Sequence, residues 1–312
     1  MTSLSFLFPG QGSQYAGMGR DLVAAFPEAR SVYERADAAL APFRLAISRV
    51  SFEGSDEELK RTAVTQPAIL VHSVAVFEVL KAHGLSAALF AGHSLGEWSA
   101  LVAAGALTLE EAVVLVHRRG TFMQEAVAAG QGAMGAVIGL EGPVVAEACA
   151  EVEAATGEVV SAANFNSPEQ TVIAGTANAV TKAGELLKQK GAKRVLPLPV
   201  SAPFHCALMK PAEEQLGPFL DAAPFADLSV PVVTNVDVLA NLSGEAAREA
   251  LRRQVCSPVR WVETVSRLSR DTAGAIEVGP GTVLSGLAKR VAKDWPVRTT
   301  SDVEGIGRLL AG

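Results

Sequence analysis

Two rhythms of apolar positions run through the chain. Ser3 to Phe8 predicts a first strand, and a glycine-rich turn follows it. Gln66 to Ala82 reads as an apolar helix. Ala87 to Ala91 reads as a short strand running into Gly92-His93-Ser94-Leu95-Gly96. From Glu97 onward the pattern is helical, with Trp98, Leu101 and Val102 on one face. Strand-like and helix-like segments alternate in this way without a fixed-period repeat, which predicts an α/β fold around a mainly parallel sheet.

The middle of the chain has its own order. Met134 to Leu140 predicts a strand, and Pro143 to Ala155 a helix with proline at its start. Val159 to Ala163 and Thr171 to Ala174 read as strands joined by Asn-Ser-Pro turn chemistry. Ala177 to Gln189 reads as a helix and Arg194 to Val200 as a last strand. The succession β-α-β-β-α-β is the ferredoxin-like arrangement. The expected organisation is a discontinuous large α/β domain, residues 1–126 and 202–312, with a small ferredoxin-like domain, 127–201, inserted in it.

Composition narrows the function classes. A chain of 312 residues is long enough for two domains, and 49% hydrophobic with 19% charged residues is a globular composition. A net charge of -6 argues against general nucleic-acid binding, which needs a basic face. The first residues lack the basic start and long apolar run of a signal peptide. The apolar uncharged stretch Thr62 to Phe77 is interrupted by Gln66-Pro67 and reads as too short to span a bilayer, so no membrane insertion is expected. Cys149, Cys206 and Cys256 lie far apart with no CxxC, which reads as free thiols in a reducing cytoplasm. No HExxH and no Cys/His spacing of metal-site type is present, so no metal is expected.

Gly92-His93-Ser94-Leu95-Gly96 matches G-x-S-x-G. A sharp strand-to-helix turn would hold Ser94 in a strained backbone with its hydroxyl exposed, and glycine on either side lets the turn close. A serine there would sit near a helix N-terminus, whose N–H groups help stabilise an oxyanion. The alternative is an ordinary helix N-cap serine. A serine nucleophile needs a base. His72 and His83 lie in or beside an apolar helix, His93 reads as support for the turn, and His117 sits in a helix beside Arg118-Arg119. His205, in a loop just past a strand end, is the best placed of the five. It could equally be a packed core histidine. No histidine follows it, so the late histidine of a hydrolase triad in the order Ser, acid, His is missing. Gly10-x-Gly12 suggests a dinucleotide loop, but Tyr15 occupies the third glycine's place, and no nucleotide cofactor is expected.

Phe8-Pro9-Gly10-Gln11-Gly12-Ser13-Gln14, Gly92-His93-Ser94-Leu95-Gly96-Glu97, Arg118-Arg119-Gly120 and Ala202-Pro203-Phe204-His205 occur in that order. So do Asn164-Phe165-Asn166-Ser167-Pro168, Asn235-Val236-Asp237 and Val278-Gly279-Pro280-Gly281. The set resembles the malonyl-CoA:acyl carrier protein transacylases of fatty acid synthesis, and the related acyltransferase domains of polyketide synthases, over essentially the whole chain. The resemblance implies a hydrolase-like α/β domain with a ferredoxin-like insertion. It implies that Ser94 is the acylated serine, His205 its base, and Arg119 the binder of the malonyl carboxylate. Backbone N–H groups of Gln11 and Leu95 match the oxyanion hole, and the backbone carbonyl of Gln254 matches the group that orients the histidine. Phe204, like Leu95, resembles members selective for malonyl over methylmalonyl. Trp98 stands where tyrosine is more usual.

The implied reaction is a ping-pong transfer of malonyl from coenzyme A to the phosphopantetheine thiol of holo acyl carrier protein, with coenzyme A as substrate carrier and no cofactor. Arginine suits a carboxylate because its planar fork makes two parallel hydrogen bonds and stays charged. Arg118 reads as a solvated helix cation. Carriers of this pathway are acidic, so Lys193, Arg194, Lys289 and Arg290 are candidate docking residues by charge. Two other readings compete: a serine hydrolase, and a carrier-binding module with a degenerate site. The fate of the acyl-serine separates the first, and the absence of any covalent adduct the second.

Overall fold

A computed structural model describes residues 3–200 and 202–311. Ser201, in the predicted loop ahead of His205, lies outside them. The strands among the described residues are β1 (Leu4–Phe8), β2 (Leu89–Gly92), β3 (Gly132–Ile138), β4 (Val160–Ser167) and β5 (Gln170–Thr176), followed by β6 (Arg194–Pro197), β7 (Val232–Val233), β8 (Ala240–Asn241), β9 (Gly274–Glu277) and β10 (Val297–Thr299). They sort into two sheets.

The larger sheet has the order β10-β9-β1-β2-β7-β8, parallel throughout except for the last pair. A parallel sheet is covered on both faces, and β1 reads accordingly as a nearly continuous apolar run. Its side chains alternate between two cores. Phe6 and Phe8 point into the large cluster with Phe77 and Phe90, and the Phe6 and Phe90 rings stack 5.5 Å apart. Leu7 points the other way, to Ala91, Val233 and Trp261.

The smaller sheet is antiparallel, in the order β4-β5-β3-β6. Its two crossover helices, Gly142–Thr156 and Ala177–Gln189, make it the β-α-β-β-α-β unit that the pattern predicts. Val137 and Ile173 face these helices, while Met134, Ala136, Val172 and Ala174 turn toward the large cluster. Two strand ends differ from the sequence expectation. β4 continues to Ser167, through residues read as a turn, because a second partner takes its edge. Val259 N–H donates to Ala163 O and Phe165 N–H to Val259 O, each at 2.9 Å. β6 stops at Pro197 instead of Val200, since prolines at 197 and 199 remove ladder donors.

The helix predicted from Gln66 begins earlier and spans Thr62–Ala82. Pro67 lies inside it and supplies no N–H for the Ala63 carbonyl four residues back. His117 Nδ1 meets that carbonyl instead at 2.9 Å, which is how the helix runs through the proline unbroken. At 21 residues the helix is long and apolar enough to cross a membrane by length and composition, contrary to the sequence expectation. The protein itself buries 94% of its most apolar window, as expected of a central core helix.

The Leu109–Glu125 helix packs against this core helix through Gly120. A Cβ at Gly120 would fall 2.7 Å from the Thr62 carbonyl oxygen and 2.9 Å from Ala63 Cα. Both are backbone atoms that cannot swing aside. Gly120→Ala must therefore prise the two helices apart. Overpacking of this kind costs about 1–3 kcal/mol. The thermal midpoint is expected to fall by roughly 2–4 °C per kcal/mol; an unchanged midpoint in a melting experiment would show that the helices have room to spare.

Candidate active site

Ser94 sits between the end of β2 and the start of the Leu95–Ala103 helix, with φ 51° and ψ -105°. A serine is held at positive φ only where its surroundings force it. Here they do. A Cβ at Gly92 would lie 1.9 Å from Gly96 C, and one at Gly96 would lie 1.9 Å from Phe8 O, so the turn closes against itself and against β1 only with glycine at both positions. This is the strand-turn-helix geometry expected of G-x-S-x-G.

His205 reaches the same point from the segment after β6, also at positive φ (60°). Its Nε2 is 2.7 Å from Ser94 Oγ, and its Nδ1 is 3.0 Å from the backbone carbonyl of Gln254. A carbonyl only accepts, so the proton belongs on Nδ1 and Nε2 is free to accept from the hydroxyl. Burial, then the nearby Arg119 charge, lower the imidazole's pKa to about 3.

Arg119 is buried beside them. Its Nη2 donates to Ser94 Oγ at 3.3 Å and to Gln254 Oε1 at 3.0 Å, and its Nη1 donates to Gln66 Oε1 at 2.7 Å. The Nε–H has no partner among the described residues. Burial lowers the guanidinium's pKa to about 10 against the opposing charge of Glu97, which leaves it cationic at neutral pH. Arg118, one position along, points elsewhere and lies 4.0 Å from the centre of the Phe219 ring.

Ser94, His205 and Arg119 open onto a cavity of about 120 Å³. Gln11, Leu95, Phe204, Met123 and Met134 also line it. All seven site residues singled out in the sequence thus lie at one place, six on the cavity wall and Gln254 behind it.

Three further residues at the site had no role assigned from sequence. Gln66 meets Arg119 from inside the apolar core helix. Asn235 accepts from Ser94 N–H through Oδ1 and donates to Gly92 O through Nδ2, each at 2.7 Å. Glu97 Oε2 accepts from Asn235 N–H at 2.9 Å and from Gln254 Nε2 at 2.7 Å. Gln66 and Glu97 had one available signal, a polar residue inside an otherwise apolar helix. His93, read as support for the turn, contacts Asn166 Oδ1 on β4 through Nε2 at 2.8 Å and packs edge-on against Trp261.

Of the four basic docking candidates, all are exposed. The β4–β5 hairpin tip brings two of them together, because Lys193 pairs with Glu169 at 3.3 Å and Arg290 Nη1 donates to Gln170 Oε1 at 2.9 Å.

A hydroxyl facing a neutral imidazole, with a buried guanidinium on the same oxygen, suits attack on an acyl group that carries an anion. Comparison with known proteins agrees. Residues 5–309 match the family model described as the acyl transferase domain. The malonyl CoA-acyl carrier protein transacylase of Escherichia coli K12 is 50% identical over 293 residues, 93% of each chain. The crystal structure of an acyl carrier protein S-malonyltransferase from Vibrio cholerae superposes with a TM-score of 0.95 at 46% identity, covering 99% of this chain and all of that one. A malonyl-transacylase solved in complex with its type II PKS acyl carrier protein does so with a TM-score of 0.95 at 44% identity, covering 99% of both chains. With its serine, imidazole and guanidinium gathered in one cavity and its length matched almost end to end, the chain belongs to the acyl transferase family, among the malonyl CoA-acyl carrier protein transacylases.

Proposed function

We propose that Ser94 carries the malonyl group in transit, with His205 as its base and Arg119 as the clamp on the malonyl carboxylate. The protein is an acyltransferase that moves malonyl from malonyl-CoA to holo acyl carrier protein, the step that supplies fatty acid chain elongation. The observation that carries the assignment is a single oxygen, Ser94 Oγ, lying 2.7 Å from the imidazole and 3.3 Å from the guanidinium.

In the first half-reaction Ser94 Oγ attacks the thioester carbonyl and its proton passes to His205 Nε2. The tetrahedral oxyanion is received by the N–H groups of Gln11 and Leu95, the latter at a helix N-terminus where backbone donors lack intrahelical partners. Collapse breaks the C–S bond, and the departing coenzyme A sulfur takes the proton from His205. In the second half the carrier's phosphopantetheine thiol gives its proton to His205 and attacks the ester, and Ser94 leaves with that proton. The scheme is complete with these side chains and the two thiols and calls for no cofactor. Phe204 lines the same cavity, and its bulk there supports selection against the added methyl of methylmalonyl.

The serine hydrolase reading is disfavoured by the buried arginine on the nucleophile. Discrimination against acetyl follows from the same group, since an acetyl-enzyme leaves Arg119 without its anionic partner. Sites built around a polar substrate group reject analogues lacking it by up to about 10⁴–10⁵-fold. The carrier docks across the exposed Lys193, Arg194, Lys289 and Arg290. We read residues 127–201 as the inserted small domain and 1–126 with 202–312 as the large one, a division supported by β3 to β6 all falling within the insertion. The cytoplasm is the proposed location.

Intact-mass analysis after mixing with malonyl-CoA is expected to find one malonyl adduct on the wild type and none on Ser94→Ala; an undiminished adduct on the variant would move the nucleophile elsewhere. Arg119→Ala is expected to lose malonyl transfer by about 10²-fold or more, the scale of a lost charged hydrogen-bonded pair, while the ratio of acetyl to malonyl transfer rises. An unchanged ratio in paired initial-rate assays would remove the clamp. The depressed pKa of His205 keeps the imidazole neutral, and able to accept a proton, as pH falls. Because kcat/KM reports the free enzyme's groups, its value for malonyl-CoA should show no loss of base between pH 8 and pH 5. A fall centred near 6.5, where an ordinary histidine titrates, would show an imidazole that charges freely.

A further inference from the structure

Glu97 takes no part in the steps set out above, yet it lies buried directly behind Ser94, three residues along the same turn and helix. Its Oε2 is the shared acceptor for Asn235 N–H and the Gln254 side-chain amide. Those two residues between them hold the Ser94 N–H, the Ser94 carbonyl, the Gly92 carbonyl, the His205 ring and the Arg119 guanidinium.

We infer that Glu97 is a positioning residue for substrate selectivity: by accepting from Gln254 Nε2 it locks that amide in the orientation that presents Oε1 to Arg119, and so aims the guanidinium at the malonyl carboxylate. The inference rests on the assignment of Arg119 as the clamp.

An amide has a donor end and an acceptor end, and Gln254 uses both. Its Nε2 donates to Glu97 Oε2 at 2.7 Å and to Ser94 O at 3.0 Å, and its Oε1 accepts from Arg119 Nη2 at 3.0 Å. Rotated by half a turn, the amide would set N–H against N–H at Arg119 and oxygen against oxygen at Glu97. Glu97 makes that state prohibitive; the Ser94 carbonyl at 3.0 Å and Asn235 Oδ1 at 3.4 Å are the longer, weaker locks. His205 is held differently, through the Gln254 main-chain carbonyl, so loosening the side-chain amide disturbs the clamp more than the base. The part Glu97 plays is that of an acceptor at a fixed reach. Among the described residues its Oε1 is buried without a partner, while Oε2 takes both bonds. Burial pushes the carboxyl up to about 7, and a proton on Oε1 leaves the acceptor on Oε2 in place.

Three variants separate reach from charge, with kcat/KM measured for transfer of malonyl and of acetyl from coenzyme A to holo acyl carrier protein. Glu97→Leu removes the acceptor and is expected to lower the malonyl-to-acetyl ratio at least tenfold. Glu97→Asp keeps the charge but withdraws it by one methylene, and is expected to lower the ratio as well; it carries the test alone if Glu97→Leu does not fold. Glu97→Gln keeps an oxygen at the same reach, with its amide nitrogen in the unpartnered position, and should hold the ratio within about threefold of wild type. Equal losses on both substrates in the Leu and Asp variants, leaving the ratio unchanged, would reduce Glu97 to a structural residue. A Gln variant that loses as much of the ratio as the Leu variant would show that charge, not reach, is what matters. Arg119→Ala serves as the control. If it too leaves the ratio unchanged, the clamp itself is wrong; if it alone changes the ratio, only the role of Glu97 falls.

Discussion

The site depends on one backbone conformation, the positive φ at Ser94. Such a conformation costs a non-glycine residue on the order of 1–3 kcal/mol and persists only if its surroundings enforce it. Two enforcers act together. The backbone of β1 and of the following helix crowds Gly92 and Gly96 so closely that no Cβ fits at either position. Hydrogen bonds then grip the serine's own peptide groups from behind, Asn235 on its N–H and Gln254 on its carbonyl. The hydroxyl is thereby thrust out of the turn toward an imidazole that is itself held at positive φ. Strain at both partners keeps the hydroxyl and the imidazole at hydrogen-bonding distance.

Both sheets contribute to the surroundings of this pair. The larger one supplies the turn and the small one closes over it. Their meeting is structural as well as spatial, because β4 borrows Val259 as a backbone partner and Asn166 on the same strand reaches His93 beside Ser94. Met134 on β3 belongs to the wall of the cavity and to the large core at once. Any change in the angle between the sheets would therefore be felt at the turn.

The α/β alternation and the β-α-β-β-α-β insertion were legible because both rest on short-range periodicity. The strand ends were less so. β4 outruns its predicted end because Val259, nearly a hundred residues away, pairs with it, and no local pattern announces such a partner. The helix through Pro67 was misjudged for the same reason, since the group that accommodates the proline, His117, comes from another helix. At the site, the glycines flanking Ser94 pointed to a nucleophile turn and His205 was the best placed of five histidines, but an N-cap serine and a packed core histidine stayed open until the family resemblance gave both residues their roles. Arg119 was not distinguishable from Arg118 by charge or spacing, and only the family resemblance singled it out. Helix phase separates them in space: one guanidinium is buried against Ser94 and the other rests on Phe219. Glu97 and Asn235 stayed without a role because their work is done on neighbours rather than on substrate.

The Thr62–Ala82 helix carries a consequence for how the chain reaches its folded state. It has no polar face, and the Leu109–Glu125 helix, a large part of its cover, is encoded downstream of it. On a ribosome it therefore emerges as a naked greasy segment, resembling cargo for the membrane-insertion machinery until its partner is synthesised. Nascent chains lengthen at roughly 5–20 residues per second, so that exposure lasts for seconds. Arg119 thus belongs to the very helix whose arrival shields the newborn chain from sticking to the wrong surface.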